Sequence, residues 1–271
     1  MNKEVIKIIA FGDIIGKPGR HALKKIIPEL KKECHPDIII VNGENLAHNK
    51  GITEKILVET ISYGVDFFTL GDHAFDQAKE IAKIFAKNKY PIIRPANYPP
   101  EAKVPGSGWK IIKTKKGDVA ALNLMGRVFF REILDCPFRA ADKALDEIKK
   151  RTNIIICDFH AEATSEKKAM GYHLDAKVSL AYGTHTHIPS ADEQILPQKT
   201  AYISDVGMTG PMKSVIGSNP ENSIRHFTSQ LPFDYELSED KNIEVNAIYS
   251  EIDSRNGQAI KIKRIRRFVS V

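Results

Sequence analysis

Three apolar runs in the first third of the chain constrain its fold most. Val5–Phe11, Asp37–Val41 and Asp66–Leu70 are apolar almost throughout and lack the alternation of a strand with one wet face. Helical patterns separate them. Pro18 stands at a helix start ahead of Leu23, Ile26, Ile27 and Leu30, which share one face; Thr53-Glu54 opens a second helix, and Lys79–Lys87 forms a third. Strands buried on both faces and separated by helices signify a largely parallel sheet covered on both sides.

The middle of the chain changes character. Trp109–Thr114 and Val119–Leu124 flank Lys115-Lys116-Gly117-Asp118, which reads as a hairpin turn. A helix over about Phe138–Lys150 leads to the apolar run Asn153–Asp158; Val178–Tyr182 and Thr200–Ser204 are shorter strands. Ile243–Ile252 and Gln258–Phe268 form an antiparallel hairpin around Asp253–Gly257. Without repeats or a Gly/Ser/Pro-rich linker, the expectation is one α/β domain over residues 1–271 with mixed sheets.

Composition narrows the setting. Hydrophobic residues at 42% and charged residues at 27% are those of an ordinary globular chain. No apolar run approaches the roughly 20 residues of a membrane helix. Met1-Asn2-Lys3-Glu4 leads straight into a strand and lacks the features of a signal peptide. Cys34, Cys136 and Cys157 are far apart and include no CxxC pair, which argues against a disulfide framework or zinc ribbon and fits a reducing cytoplasm. The net charge is +6, with Lys261, Lys263, Arg264, Arg266 and Arg267 crowded near the end. These residues read first as an edge strand guarded by charge, and second as a patch for anions or nucleic acid.

The chemistry gathers where strands stop. Phe11-Gly12 leads to Asp13, Asn42-Gly43 to Glu44 and Asn45, Leu70-Gly71 to Asp72 and His73, Phe159 to His160, and Gly183-Thr184 to His185 and His187. Ligands of open α/β sheets bind outside the carboxyl ends of the strands, so these groups can converge. Any one of them alone reads as a cap, a turn or a packed histidine. Three acids and four histidines exceed what capping needs. His185 and His187, two apart on a turn, both reach inward if the backbone bends. His21, His35, His48, His173 and His226 have no such placement, and His21 and His226 lie in helical patterns. Oxygen and imidazole donors without cysteine suit Mn, Fe, Zn or similar ions rather than calcium. Six or seven ligands are too many for one tetrahedral site and suffice for two metals, which in such pairs lie about 3.5–4 Å apart and hold a phosphoryl group for in-line attack.

The segments GDxxGxxGR at Gly12–Arg20, NGEN at Asn42–Asn45, GDHAFD at Gly71–Asp76, RPAN at Arg94–Asn97, DFHAEATSEK at Asp158–Lys167, GTHTH at Gly183–His187 and SDVGMTGP at Ser204–Pro211 occur in this order. Together they resemble the YmdB-like branch of the calcineurin-type metallophosphoesterases. The resemblance implies a four-layer α/β sandwich, with two mixed β-sheets packed face to face and helices outside. It implies two metal ions per chain, Fe or Mn before Zn or Mg, and hydrolysis of cyclic nucleotides, notably 2′,3′-cyclic ones, by a homo-oligomer (dimer or tetramer). On its pattern, Asp13, Glu44, Asn45 and His187 surround one metal. Glu44 bridges to the second, which Asp72, His160 and His185 complete, and His73 protonates the leaving oxygen. The family normally has Asn where this chain has Asp72, and the added charge implies tighter metal binding and a less acidic bridging water.

Arg94, Asn97, Arg127 and Thr209 lie in or near matching segments and either line the pocket or make only salt bridges and turn contacts. Two rival functions remain: a phosphatase or nuclease using the same centre, and an RNA- or protein-binding module with structural metals.

Overall fold

β1 (Val5–Ile14), β2 (Ile38–Asn42) and β3 (Phe67–Thr69) carry the three apolar runs, with α1 (Gly16–Cys34), α2 (Glu54–Ser62) and α3 (Ala78–Lys87) between and after them. The computed structural model describes residues 4–47, 49–232 and 236–271, so the readings of residues 1–3 and of His48 lie outside the described residues. The chain continues through β4 (Trp109–Thr114), β5 (Gly117–Met125), α4 (Pro137–Ile148), β6 (Ile155–His160), α5 (Thr164–Leu174) and β7 (Leu180–Thr184). It ends with β8 (Gln194–Ile195), β9 (Ala201–Ile203), β10 (Met208–Pro211), α6 (Pro220–Ser229), β11 (Asn242–Asp253) and β12 (Ala259–Ser270).

These strands form two six-stranded sheets among the described residues, ordered β12-β11-β10-β1-β2-β3 and β4-β5-β6-β7-β9-β8. Both are mixed. β1, β2 and β3 run parallel and β11 antiparallel to β1; β5, β6, β7 and β9 run parallel, with β4 and β8 antiparallel at the edges. Strand side chains alternate between faces, and the core divides accordingly. Ile6, Ile8 and Ala10 of β1 meet Val119, Ala121, Ile156, Leu180 and Ile203 between the sheets. Ile9 and Phe11 face the other way, toward α1–α3. On the far side, Ala120, Leu122, Ile155 and Cys157 pack under α4 and α5. The four layers are helix, sheet, sheet and helix.

Three elements have no clear signature in the sequence. The buried stripe of α5 is Lys167, Met170, Gly171 and Leu174, so a charged residue and a glycine stand where apolar residues would have marked the period. β10 contains Gly210 and Pro211, and β8 is two residues long. The hairpin turn is tighter than read, with Lys115-Lys116 alone between Thr114 and Gly117. The basic C-terminal strand is an edge, as its first reading has it. Lys261, Arg264, Arg266 and Arg267 pair with Glu251, Glu193, Glu244 and Glu33, and Lys263 lies over the Tyr249 ring. Each of the five thus has an acidic or aromatic partner along this edge. No described helix is long and apolar enough to cross a membrane, and Cys34, Cys136 and Cys157 are free thiols.

Candidate metal centre

The face between the sheets turns polar at the carboxyl ends of its strands. Asn42 continues Ile38 and Ile40, Asn123 continues Val119 and Ala121, Asp158 and His160 continue Ile156, and Thr184 continues Leu180 and Tyr182; all five polar residues are fully buried. Asp13 needs a special device to join them, because by alternation it belongs with Ile9 and Phe11 on the helix side. A register shift between Phe11 and Asp13 supplies it, pairing Asp13 with Asn42. Such a bulge reverses the direction of the side chains that follow. At Gly71 the chain runs so close to the cluster that a Cβ there would stand 2.2 Å from Glu44 Oε2 and 2.3 Å from the His160 ring. His185 and His187 both have positive φ, 103° and 65°. That costly conformation is the bend that turns both rings inward.

Glu44, Asp72, His160 and His185 each bring one donor atom to within 4.8 Å of all the others. His160 Nε2 lies 3.2 Å from Glu44 Oε1 and 2.9 Å from Asp72 Oδ1, and His185 Nδ1 lies 3.3 Å from Asp72 Oδ1. Asp13, Asn45 and His187 adjoin this group. Asn45 Nδ2 is 3.2 Å from Glu44 Oε1 and 3.4 Å from His187 Nε2, and Asp13 Oδ1 is 3.9 Å from His187 Nε2. Asp13 Oδ2 accepts the His185 backbone N–H at 3.0 Å, whereas its buried Oδ1 has no hydrogen-bond partner. A buried carboxylate oxygen without a donor is costly unless a cation takes it.

The imidazoles are oriented for that use. The Thr184 hydroxyl donates to Asp158 Oδ1 at 2.8 Å and so accepts from His160 Nδ1 at 2.9 Å. His187 Nδ1 donates to the Ile216 carbonyl at 2.9 Å, and His185 Nε2 lies 3.2 Å from Glu162 Oε2 as an ion-pair contact. Each ring thus has its outer nitrogen engaged and its inner nitrogen turned to the cluster, where without a cation it shares a proton with the neighbouring carboxylates and a bound cation would take the proton's place. Metal-ligating histidines are held in this manner. The electrostatics agree. Burial disfavours charge on both Asp72 and His160. Hydrogen bonds from His160 and His185 nonetheless hold the Asp72 carboxyl well below the usual carboxylate range, and Glu44 with Asp72 raises His160 well above an ordinary histidine. Surroundings that attract a proton to a buried imidazole attract a divalent cation for the same reason. The donor set fits metal ions.

His73 sits at the edge of this cluster. Its Nδ1 is 3.0 Å from Asp76 Oδ2, its backbone N–H donates to Glu44 Oε2 at 3.2 Å, and its Nε2 lies 3.6 Å from Asp72 Oδ2. The Asp76 contact leaves Nε2 facing a cleft of two lobes, about 380 and 530 Å³. Lys50, His73 and His185 line both lobes, and the Phe130 ring packs 4.8 Å from that of His185. Asp76, Glu162 and Thr184 were not singled out by sequence reading. Their signal was adjacency, since each stands within three residues of a singled-out histidine.

Arg94, Asn97, Arg127 and Thr209 do not line this cleft. The Arg94 guanidinium donates to the carbonyls of Pro95, Val104 and Pro105; Asn97 binds Met125 and Asp135; Thr209 is buried in the sheet; and Arg127 is exposed, its backbone N–H on Glu166. Outside the cluster, His173 pairs with Asp142, His226 bonds the Leu231 carbonyl, and His35 ends α1 in the left-handed region.

Two facing mixed sheets, with acids and imidazoles converging at their shared carboxyl edge, define a metallophosphoesterase, a hydrolase of phosphate esters. The chain belongs to the YmdB-like protein family, whose model matches residues 9–265. Over 260 residues it is 43% identical to the 2′,3′-cyclic-nucleotide 2′-phosphodiesterase of Bacillus subtilis (strain 168), covering 96% of each protein. A crystal structure of a phosphatase from Mycoplasma pneumoniae superposes with a TM-score of 0.92 at 36% identity, covering 99% of this chain and 95% of that one. A Thermus thermophilus protein superposes at 0.89 with 33% identity, covering 97% of this chain and 99% of that one.

Proposed function

We propose that this chain is a cytoplasmic, single-domain phosphodiesterase that opens cyclic nucleotides, 2′,3′-cyclic ones foremost, on two metal ions. Asp13, Glu44, Asn45 and His187 would hold one ion, and Glu44, Asp72, His160 and His185 the other. The observation that carries this reading is the set of three imidazoles, each with its outer nitrogen engaged and its inner nitrogen turned to the carboxylates. When bound, such ions neutralise phosphoryl charge and make water a nucleophile near neutral pH. His73, outside both sets, would hold a proton on Nε2 and give it to the departing ribose oxygen, with Asp76 fixing the ring. Lys50, facing both lobes, would attract the anionic substrate. The metals would be Fe or Mn before Zn or Mg.

Name and fold of the relatives support a phosphate ester as substrate, and the leaving group decides among esters. Metal-loaded protein is expected to hydrolyse 2′,3′-cyclic AMP faster than 3′,5′-cyclic AMP, 3′-AMP or a short RNA. Faster release of phosphate from 3′-AMP would make it a phosphatase instead. We also read the protein as a dimer or tetramer. Ile224 and Phe227 stand exposed on α6, a surface another copy would cover, and light scattering gives the mass.

Glu44→Gln removes the carboxylate placed between both positions. Metal content by elemental analysis should fall well below that of the parent protein, and undiminished content would exclude Glu44 as the bridge. Asp72→Asn replaces a charged oxygen by a neutral one. Apo-protein titrated with Mn²⁺ should bind the second ion more weakly, and coincident curves would remove Asp72 from the ligand set.

A further inference from the structure

A cavity of about 640 Å³, larger than either lobe of the cleft, opens elsewhere, between the 94–109 segment and one face of α4, and shares no lining residue with the cleft. One wall presents the Tyr98 and Trp109 rings; the other presents Arg139 and Lys143, one helical turn apart. Neither cation takes part in an ion pair or hydrogen bond through its side chain among the described residues. They differ in this from Arg94, which also lines the cavity but has its guanidinium engaged by three carbonyls and lies over the Tyr98 ring at 5.4 Å.

The walls are fixed. Asn97, buried, donates to the Met125 carbonyl at 2.8 Å and the Asp135 carbonyl at 3.1 Å and accepts from Met125 N–H at 3.0 Å, joining the 94–109 segment to β5 and to the entry of α4. Ala96 N–H donates to the Asn123 carbonyl at 2.8 Å. A preformed hollow of this size, with apolar residues such as Pro100, Trp109, Ala140 and Ala144 beside convergent polar ones, has the form of a small-molecule site. The Trp109 ring takes a flat ring by stacking, whereas Tyr98, with Arg94 over its ring and Phe75 against it, closes that wall. Two unengaged cations a turn apart take a phosphate. The Asp135 carboxylate at the rim accepts from hydroxyl or amino groups. Glu147, the other acid of the lining, is tied to Lys150 at 2.6 Å.

We propose that this cavity is a second nucleotide site, distinct from the metal centre, which takes a nucleoside monophosphate with its base against Trp109 and its phosphate between Arg139 and Lys143. The ligand need not be a substrate, since no metal donor or proton donor of the cleft reaches this cavity.

Trp109 is the one tryptophan of the chain, so its fluorescence reports on this cavity. Titration of metal-loaded protein with 5′-AMP, excited at wavelengths where adenine does not absorb, should change the signal saturably. The double variant Arg139→Glu, Lys143→Glu, altered at exposed positions only, should need at least about tenfold more 5′-AMP, the weight of one charge-assisted hydrogen bond, with an unchanged circular dichroism spectrum. Glu44→Gln should give the parent curve. A flat signal through millimolar 5′-AMP, or an unshifted curve in the double variant, overturns the site. A shift in Glu44→Gln places the nucleotide in the metal cleft instead, which also overturns it and leaves the phosphodiesterase reading intact.

Discussion

His73→Ala is expected to keep its metals and lose about 10²–10⁴-fold in kcat on cyclic nucleotides, the usual effect of a positioned proton donor. The expectation rests on where the two ring nitrogens point. Nδ1 is engaged by Asp76 at 3.0 Å and Nε2 faces the cleft, 3.6 Å from the nearest Asp72 oxygen. His73 is not among the four residues whose donor atoms all lie within 4.8 Å of one another, so we assign it the proton and not the metal. The loss should shrink on a diester with a nitrophenolate leaving group, which departs without a proton. Equal losses on both substrates would make His73 a binding residue. Asp76→Asn should give a smaller loss with the same leaving-group dependence, because it frees the ring without removing it.

Lys167→Met is expected to destabilise the fold by about 3–5 kcal/mol, the usual cost of stripping one partner from a buried ion pair. Lys167 and Asp205 are both almost fully buried, and Nζ lies 2.5 Å from Oδ2. Asp205 also accepts from Thr186 N–H and hydroxyl at 3.2 and 2.8 Å and from Gly207 N–H at 2.7 Å. The carboxylate left behind would therefore be buried without its counter-charge, inside the turn that bends His185 and His187 inward. Urea unfolding of apo-protein measures the stability, and metal titration should show weaker binding in the same variant. A change below about 1 kcal/mol, the range of an exposed pair, would mean that water reaches Asp205. Lys167→Met combined with Asp205→Asn should recover part of the loss, since it removes the stranded charge.

Much of the centre was legible because the sequence displays strand ends directly. An apolar run that stops at a glycine followed by an acid or histidine says which groups lie at the carboxyl edge, and Asp13, Glu44, Asp72, His160, His185 and His187 all lie there. Less legible were the features that depend on contacts across the fold. The bulge that turns Asp13 to the inner face breaks strand alternation at one residue, and no periodicity announces it. The partners of the outer nitrogens, Thr184, Glu162 and the Ile216 carbonyl, are read by distance alone. α5 was hidden because Lys167, whose aliphatic stem and buried partner Asp205 allow it into the core, occupies an inward position. Arg94 and Asn97, whose motif left pocket lining and turn contacts both open, brace the walls of a separate cavity.

The donors come from both sheets: Asp13, Glu44 and Asp72 from the ends of one, His160, His185 and His187 from the ends of the other. Below them the sheets touch through apolar side chains, and the buried hydrogen bonds of Asn42 and Thr69 to Asp158 and of the Leu70 N–H to Asn123 join them beside the donors. A cation bound by both sets of donors would act as a rivet, pinning the two layers at one edge and relieving the mutual repulsion of the three carboxylates there. Binding of metal to the folded chain would then add to the stability of the sandwich, so that loss of metal and loosening of this edge would be linked.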